Sequence, residues 1–416
     1  MKQLILIFTM LMALPSIAQQ NITLEKCYQL VKDNYPLAKQ TQLLDAQNKL
    51  EKEVVLTSKL PQFSLDAQAT YQSDVIEIPI PNTNIEPLNK DQYRATVSVN
   101  QLIYNGGVIN ASLDLKSAQL KTKQKQVEVS LYQLKQHINQ LYFSILLAQE
   151  SQELLSAKKV QLQAKLKEVQ SGITYGTIIS SSDKVLEAEL LKINQQSQEL
   201  LSNKEVLIET LSSLIHQPLN ISTQFQKPLL EINIQTDLVR PELDLFQLKK
   251  EEITTSESLL SKQNAPKLLG FAIGGYGNPG LNMLDNSFQT FYTVGVKLNW
   301  NIFNWNSIKK QRQSLAINKD VLETQAETFK LNTNIELNQQ QKEINKIEGF
   351  IISDLEIINL RKAVLQTADS QLKNGVITSS AYITELTNLY EDENTLLKHK
   401  IQLQLAKANY NIIKGQ

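Results

Sequence analysis

Apolar and polar residues alternate along four short segments of the chain. In residues 62–72 every odd position is apolar or aromatic and every even position is polar. Residues 93–104 and 288–302 alternate in the same way, with interruptions such as Gln101, and a poorer, glycine-rich segment spans 267–276. A period of two predicts β-strands that have one apolar face and one wet face.

Most of the remaining chain shows apolar residues at the three-, four- and seven-residue spacings of long helices. Residues 108–171 contain neither proline nor glycine, so a helix there would be about 95 Å long. Heptad spacing continues through 181–215, 307–373 and 379–414, which predicts two antiparallel coiled-coil hairpins. Shorter helices are predicted at 23–59, interrupted near Pro36, and at 241–263.

Two landmarks recur in the same register, which predicts a tandem duplication. The strand end Asn100–Asn105 returns as Asn299–Asn304, and the turn Gly176–Ser181 returns as Gly375–Ser380. Each half then reads as a helix, two strands and a long helical hairpin. The predicted boundaries are residues 19–215 for repeat 1, 216–239 for the linker and 240–416 for repeat 2.

The amino terminus carries the signature of a secretory signal peptide over residues 1–18. Lys2 precedes an apolar run, and small residues ending at Ala18 predict cleavage after that position. No other apolar run is long enough to predict a transmembrane helix. The single cysteine, Cys27, lies in a helical segment, so we expect neither an internal disulfide nor a lipid-anchored terminus.

Composition narrows the functional classes further. Charge is balanced, with 42 basic and 42 acidic residues, which gives no indication of nucleic-acid binding. The three histidines, His137, His216 and His399, lie far apart, and no catalytic constellation, phosphate loop or metal-ligand spacing is visible. We therefore expect no enzymatic activity and no cofactor or metal.

Strand length and number together suggest a membrane protein assembled from several copies. The alternating segments have the length of transmembrane β-strands, which lipid permits only in a closed barrel. Four strands are too few, because the smallest such barrels have about eight. A soluble four-stranded sheet packed on helices stays open as an alternative. The signal peptide, the duplication and the aromatic strand ends favour pooled strands.

The ordered set of motifs resembles the TolC family of outer-membrane efflux and secretion channels. The resemblance spans nearly all of the mature chain, and no single motif carries it alone. Its carriers are Thr23–Cys27, Asn34–Pro36, Val99–Gly107, the tip Tyr175-Gly176 with Ser180–Leu186, and the second-half copies. The second copy has Trp305-Asn306 where the first has Gly106-Gly107, so we expect that turn to differ in shape.

The resemblance implies an α+β membrane protein that acts as a homotrimer. Three protomers would share a twelve-stranded outer-membrane barrel, continued by a coiled-coil α-helical barrel through the periplasm. The expected function is a passive exit duct of a tripartite efflux pump or type I secretion system. Its expected partners are outer-membrane lipid, a periplasmic adaptor (membrane fusion) protein and an inner-membrane pump of the RND or ABC type.

The resemblance and the strand pattern also assign candidate site residues. The helical tips carry the adaptor contacts in this family, and glycine turns and serine N-caps would equally explain these positions. The matching tip positions are Tyr175, Gly176, Ser180, Ser181, Asn374, Gly375, Ser379 and Ser380. Asp183 and Asp369 are candidates for a ring of carboxylates at the periplasmic aperture, or else belong to a solvated helix face. The expected lipid-facing residues are Leu65, Ala67, Val97, Val99, Val294 and Val296.

Two other classes of protein stay open on the sequence. A periplasmic adaptor also has a signal peptide and a helical hairpin, but it would carry one hairpin flanked by compact β-domains. An exported enzyme on a helical scaffold would need clustered histidines, cysteines or paired acids, and none are visible. Only the channel would be an integral outer-membrane protein.

Overall fold

The structure is a computed structural model that describes residues 21–76, 86–235 and 237–416. The predicted signal peptide at 1–18 lies outside the described residues. None of the helices in these ranges is both long and apolar enough to cross a membrane.

The first half of the chain contains the predicted helices and strands, with one additional short strand. Thr23 caps the first helix by accepting a hydrogen bond from the Lys26 amide at 3.2 Å, and a 3₁₀ turn at Pro36–Lys39 provides the predicted interruption. The elements in chain order are β1 (Asn21–Ile22), α1 (Leu24–Asn34), α2 (Gln40–Thr57), β2 (Gln62–Tyr71), β3 (Asp91–Tyr104), α3 (Val108–Thr174) and α4 (Ser182–Ile215).

The linker contains the short strand β4 (Gln224–Phe225). The second half then repeats the order of helix, two strands and two long helices. Its elements are α5 (Pro241–Lys262), β5 (Lys267–Asn278), β6 (Gln289–Asn299), α6 (Ser307–Lys373) and α7 (Ser379–Lys414). The prediction that the last strand continues to Ile302 is wrong. Lys267, the first residue of β5, pairs with Asn299, so no partner strand remains beyond that point. Trp300 instead donates its indole N–H to the Asn264 carbonyl at 3.1 Å.

The chain divides into two compact units. The hairpin unit consists of the described residues up to Lys39 together with those of Val127–Glu242 and Thr328–Gln416. The sheet unit consists of Gln40–Gln126 and Leu243–Glu327. The 67-residue helices α3 and α6 contribute residues to both units.

The predicted heptads form the core of the hairpin unit. Leu155, Leu162 and Val169 of α3 and Leu186 and Ile193 of α4 are all buried in one cluster with α6 and α7. The two helices of each hairpin run antiparallel. In the contacts between them, residue numbers increase along one helix while they decrease along the other. Such contacts are Gln152 with Ser197 and Lys158 with Glu189 in the first hairpin, and Asp354 with His399 and Arg361 with Asp392 in the second.

The sheet unit is built on a four-stranded antiparallel sheet in the order β2-β3-β5-β6. The register places Leu65 opposite Val97, Val97 opposite Gly274, and Gly274 opposite Tyr292. Because paired residues point to the same face of a sheet, this row marks one continuous surface across the four strands.

A feature that the sequence pattern did not predict ties both chain ends to the linker. β1 pairs in parallel with β4, and the buried Tyr142 hydroxyl lies 2.9 Å from the Ile22 carbonyl and 2.7 Å from the Gln226 carbonyl. At the other end, the Val239 amide donates to the Lys414 carbonyl at 3.0 Å. The linker therefore anchors the first strand and the last helix.

The two strand-to-helix turns have the same backbone conformation, so the expectation of a different shape is wrong. Gly106 and Gly107 have φ of +65° and +84°, and Trp305 and Asn306 have φ of +50° and +57°. A Cβ on Gly106 would lie 2.0 Å from the Ala265 Cβ, so space as well as φ requires glycine there. Trp305 is 81% exposed and packs edge-on against Phe303, which leaves room for its side chain.

Candidate functional site

The first helical tip is a glycine turn between α3 and α4. Gly176 has φ of +74°, and the Thr177 amide donates to the Gly172 carbonyl at 2.9 Å, which satisfies a carbonyl at the end of α3. Tyr175 is 81% exposed and Ile179 is 66% exposed. The turn therefore presents large apolar side chains to the outside.

The second tip repeats this geometry and lies beside the first. Gly375 has φ of +69°, and the Val376 amide donates to the Gln371 carbonyl at 2.8 Å. A Cβ built on Gly375 would lie 3.2 Å from the Thr177 carbonyl oxygen, so the two turns are in contact. Asn374 donates its side-chain amide to the Ser370 carbonyl at 2.8 Å, and Val376 is exposed.

The serines next to the tips do not form the expected N-caps. Ser181 occupies the N-cap position of α4 without a side-chain hydrogen bond to the helix. Thr378 caps α7 by accepting from the Ala381 amide at 3.3 Å. Ser379 is the first residue of α7 and is buried, while Ser180 and Ser380 are exposed. A threonine also caps α1, so the sequence signal for these two caps was the threonine directly before the helix.

Asp369 belongs to a network of charges between α3 and α6 near the tips. It forms ion pairs with Lys165 and, at 2.9 Å, with Lys373. Lys165 also pairs with Glu168 at 2.6 Å and lies 5.3 Å from the centre of the Tyr382 ring. Burial opposes ionisation of Asp369, but the hydrogen bonds from the two lysines outweigh it and hold the pKa of this carboxyl below its ordinary value.

A similar arrangement lies nearby in the same hairpins. Lys158 is buried, pairs with Glu189 at 3.2 Å and lies 4.7 Å from the centre of the Tyr390 ring. Both interior lysines therefore have an acidic partner and an aromatic ring, which offsets the cost of burying the charge. Asp183, the other aperture candidate, lies in the first turn of α4 and pairs with the exposed Lys184 at 3.4 Å.

The register of the sheet places the six expected lipid-facing residues on one face. Strand pairing directly joins Leu65 with Val97, Ala67 with Ala95, Val99 with Ala272, and Val294 with Ala272. Val296 follows Val294 on the same face at a spacing of two. This face also contains the exposed side chains Phe63, Tyr276, Tyr292 and Leu298. Together these residues form an exposed apolar surface.

The opposite face of the sheet is mainly polar. Ser64 and Ser98 are paired and hydrogen-bonded at 2.6 Å. Arg94 extends over the Phe291 ring, with its guanidinium carbon 5.5 Å from the ring centre. β2, β3 and β6 therefore separate an apolar surface from a mainly polar one, as the alternation predicted. β5 departs from this pattern, with Leu269, Phe271 and Ile273 on the mainly polar face.

The three histidines lie in separate places in the structure. No group of three or more histidine, cysteine, aspartate or glutamate side chains could hold a metal ion in the part of the chain that the structure describes. His399 pairs with Asp354 at 2.6 Å, His216 ends α4 with φ of +53°, and His137 is an exposed residue of α3.

Comparisons with known proteins show which proteins the chain is similar to. A family model described as outer membrane efflux protein matches residues 38–212. The sequence has no match among curated proteins. Among solved structures, the chain is similar to CusC, whose structures are described in terms of folding and transmembrane channel formation. The identity is 12%, the TM-score is 0.67, and 94% of this chain and 92% of CusC are covered.

Two further solved structures share the fold. The outer membrane protein VceC from Vibrio cholerae is 13% identical with a TM-score of 0.64, over 94% of this chain and 96% of VceC. The Neisseria gonorrhoeae MtrE outer membrane channel, in its open state, is 13% identical with a TM-score of 0.65, over 94% of this chain and 89% of MtrE. The predicted α+β class with long helices is confirmed. The family-model match and the shared fold agree with the predicted resemblance to TolC-family channels.

Proposed function

We propose that this protein is the passive exit duct of a tripartite efflux pump or type I secretion system in the outer membrane. The observation that carries the proposal is the two-faced sheet. Leu65, Val294 and Tyr292 are 74%, 72% and 79% exposed on one face, while the other face is mainly polar. Exposed apolar area of this kind is stable against lipid and unfavourable in water.

The open edges of the sheet indicate that several copies form the complete channel. β2 and β6 each have one paired neighbour in the sheet, and lipid does not tolerate unpaired strand edges. Joining β6 of one protomer to β2 of the next would satisfy both edges. By analogy with the family, we propose three protomers and a twelve-stranded barrel, with repeats at 19–215 and 240–416 joined by the linker at 216–239.

The paired helical tips are the proposed contact for the periplasmic adaptor. Tyr175, Ile179 and Val376 are exposed beside two glycine turns, and a rigid turn with exposed apolar side chains is suited to docking. The proposed tip surface consists of Tyr175, Gly176, Ser180, Ser181, Asn374, Gly375 and Ser380, with the buried Ser379 supporting it. An inner-membrane pump of the RND or ABC type would supply the energy.

Asp183 and Asp369 stay aperture candidates because both lie close to the tips. In the single chain, Asp369 is neutralised by Lys165 and Lys373. A cation-binding ring of Asp369 carboxylates would therefore require those ion pairs to open.

Membrane fractionation and particle mass test the proposal. The outer-membrane fraction is extracted in a mild detergent, and the protein mass of the purified particle is measured by light scattering with the detergent subtracted. We expect a trimer found only in that fraction. A water-soluble monomer would overturn the proposal and favour the soluble adaptor or enzyme.

A further inference from the structure

The polar face of the sheet carries an unusual pair of aromatic rings. Phe271 is paired with Gly295, and Phe291 is paired with Gly275. A Cβ on Gly275 would lie 2.4 Å from the Phe291 ring, and one on Gly295 would lie 2.7 Å from the Phe271 ring. Each ring therefore packs directly over the glycine paired with it. Both rings are half-buried on a surface that is otherwise mainly polar.

Positive charges accompany both rings. Arg94 lies over Phe291 at 5.5 Å, and Lys297 follows Gly295 at a spacing of two, which places it diagonally beside Phe271. Lys267 is on this same face, whereas Asp66 is the acidic residue of β2 there. The face thus has more positive than negative charge, and each of its rings has a cation as a neighbour.

We propose that Phe291 with Arg94, and separately Phe271 with Lys297, form two weak binding sites for planar aromatic anions, such as aryl sulfonates or aryl carboxylates. The register places the two rings four residues apart along the strands, roughly 13 Å. The proposal rests on the proposed function, because that function makes this face the wall of the duct. An aromatic ring of the ligand stacks on one of the two phenyl rings. Its acidic group is attracted to the neighbouring guanidinium or ammonium group, whose potential is strengthened by repetition around a closed lumen.

The sites would give the duct a substrate preference of its own. Stacking favours planar aromatic molecules over aliphatic ones of equal charge, and the excess of positive charge favours anions over cations. A low affinity suits transport, because a ligand that binds tightly would stay in the channel rather than pass through it.

Ion currents through the full-length protein in a planar lipid bilayer test the proposal. The probe is 2-naphthalenesulfonate, added on the side of the strand-connecting loops, and methanesulfonate is the aliphatic control of equal charge. We expect the naphthalene probe to block the current and methanesulfonate to have no effect. In Phe291→Leu and Arg94→Gln proteins the concentration for half-block should rise about two- to tenfold.

A control variant separates the two faces of the sheet. Phe63→Leu makes the same change on the apolar face, where Phe63 is 73% exposed, and should leave the block unchanged. Equilibrium dialysis of the probe against protein in lipid nanodiscs provides a readout without current. Wild type should bind more probe than the Phe271→Leu/Phe291→Leu protein, and lipid partitioning cancels in that difference.

The outcomes distinguish failure of the sites from failure of the proposed function. Equal block by both sulfonates, or variants that assemble normally with unchanged block and unchanged binding, would overturn the aromatic-anion sites while leaving the channel intact. A wild-type particle that is water-soluble and inserts into no bilayer would overturn the exit duct itself, and the sites with it. If a closed duct passes no current, the dialysis difference decides.

Discussion

Introducing an arginine at Val294 tests which face of the sheet contacts lipid. Val294 is the central residue of β6, pairs with Ala272 and is 72% exposed. If this position faces the middle of the bilayer, Val294→Arg should cost about 2–4 kcal/mol per protomer. In a trimer the cost would sum to roughly 6–12 kcal/mol if the three sites act independently.

Thr293 provides the matched control because it is the adjacent residue on the opposite face. It is exposed, pairs with Ile273 and projects from the polar side of the sheet. Thr293→Arg adds the same charged group where water can hydrate it, so its effect on stability should stay within about 0.5 kcal/mol. Comparing the two variants shows whether the loss of stability depends on the face of the sheet or on any arginine in β6.

Folding of the two variants into lipid vesicles gives the free-energy difference directly. The urea midpoint and slope are measured for each variant, and the trimer band is followed by its heat-dependent migration on gels. Val294→Arg should lose stability and trimer together, whereas Thr293→Arg should resemble wild type. Equal stabilities, or a larger loss in Thr293→Arg, would refute the assignment of faces.

The remaining predictions concern the hairpin unit. Asp369→Asn should destabilise the tip region by about 1 kcal/mol, since Asp369 is 29% exposed and solvent weakens its ion pairs. Because the folded pKa of Asp369 is lowered, its contribution is complete above the ordinary aspartate pKa of about 3.9 and is lost as pH falls through the folded value. The difference between wild type and variant, measured by thermal unfolding, should therefore be constant near neutral pH and shrink below about pH 4; a difference that grows in acid would contradict this. Gly176→Ala should lower the free energy of unfolding by about 1–2 kcal/mol because φ is +74°. Gly349→Ala, in the open middle of α6, should instead raise it by about 1 kcal/mol. Denaturant midpoints that shift in the same direction for the two variants would contradict this pair of predictions. Tyr142→Phe should cost about 0.5–1.5 kcal/mol by removing the hydroxyl's hydrogen bond, while the Ile22 carbonyl keeps the Gln226 amide as a donor. Tyr175→Phe at the exposed tip, compared in the same melts, should change stability little.

Local pattern was sufficient to predict the long elements. The bounds of α6 and α7 match the prediction. The signals that set them, which are helix-breaking proline and glycine and the heptad spacing of apolar residues, are local in the sequence. The face of the sheet that carries Val97 and Val294 also followed from the sequence, because the period of two fixes which side chains share a face once strands pair.

Features that depend on distant partners were not predictable in this way. The end of β6 is set by where β5 begins, and the β1–β4 pairing joins two residues near the start of the chain to two in the linker. The Lys165–Asp369 pair joins α3 to α6 across the two halves of the sequence. Periodicity within one segment contains no information about such pairings, so the ion network near the tips was missed.

The anchoring of both chain ends to the linker sets the order in which this protein can mature. If the chain is exported from its amino terminus, as the proposed function requires, β1 emerges long before its partner strand β4 in the linker. α7, whose Lys414 binds the linker carbonyls of Asn233 and Ile234, arrives last of all. In that case the hairpin unit closes only after α7 has followed, because contacts between distant segments form late. Until then the chain has unpaired strand edges and exposed apolar helices, and during this interval we expect it to depend on periplasmic chaperones.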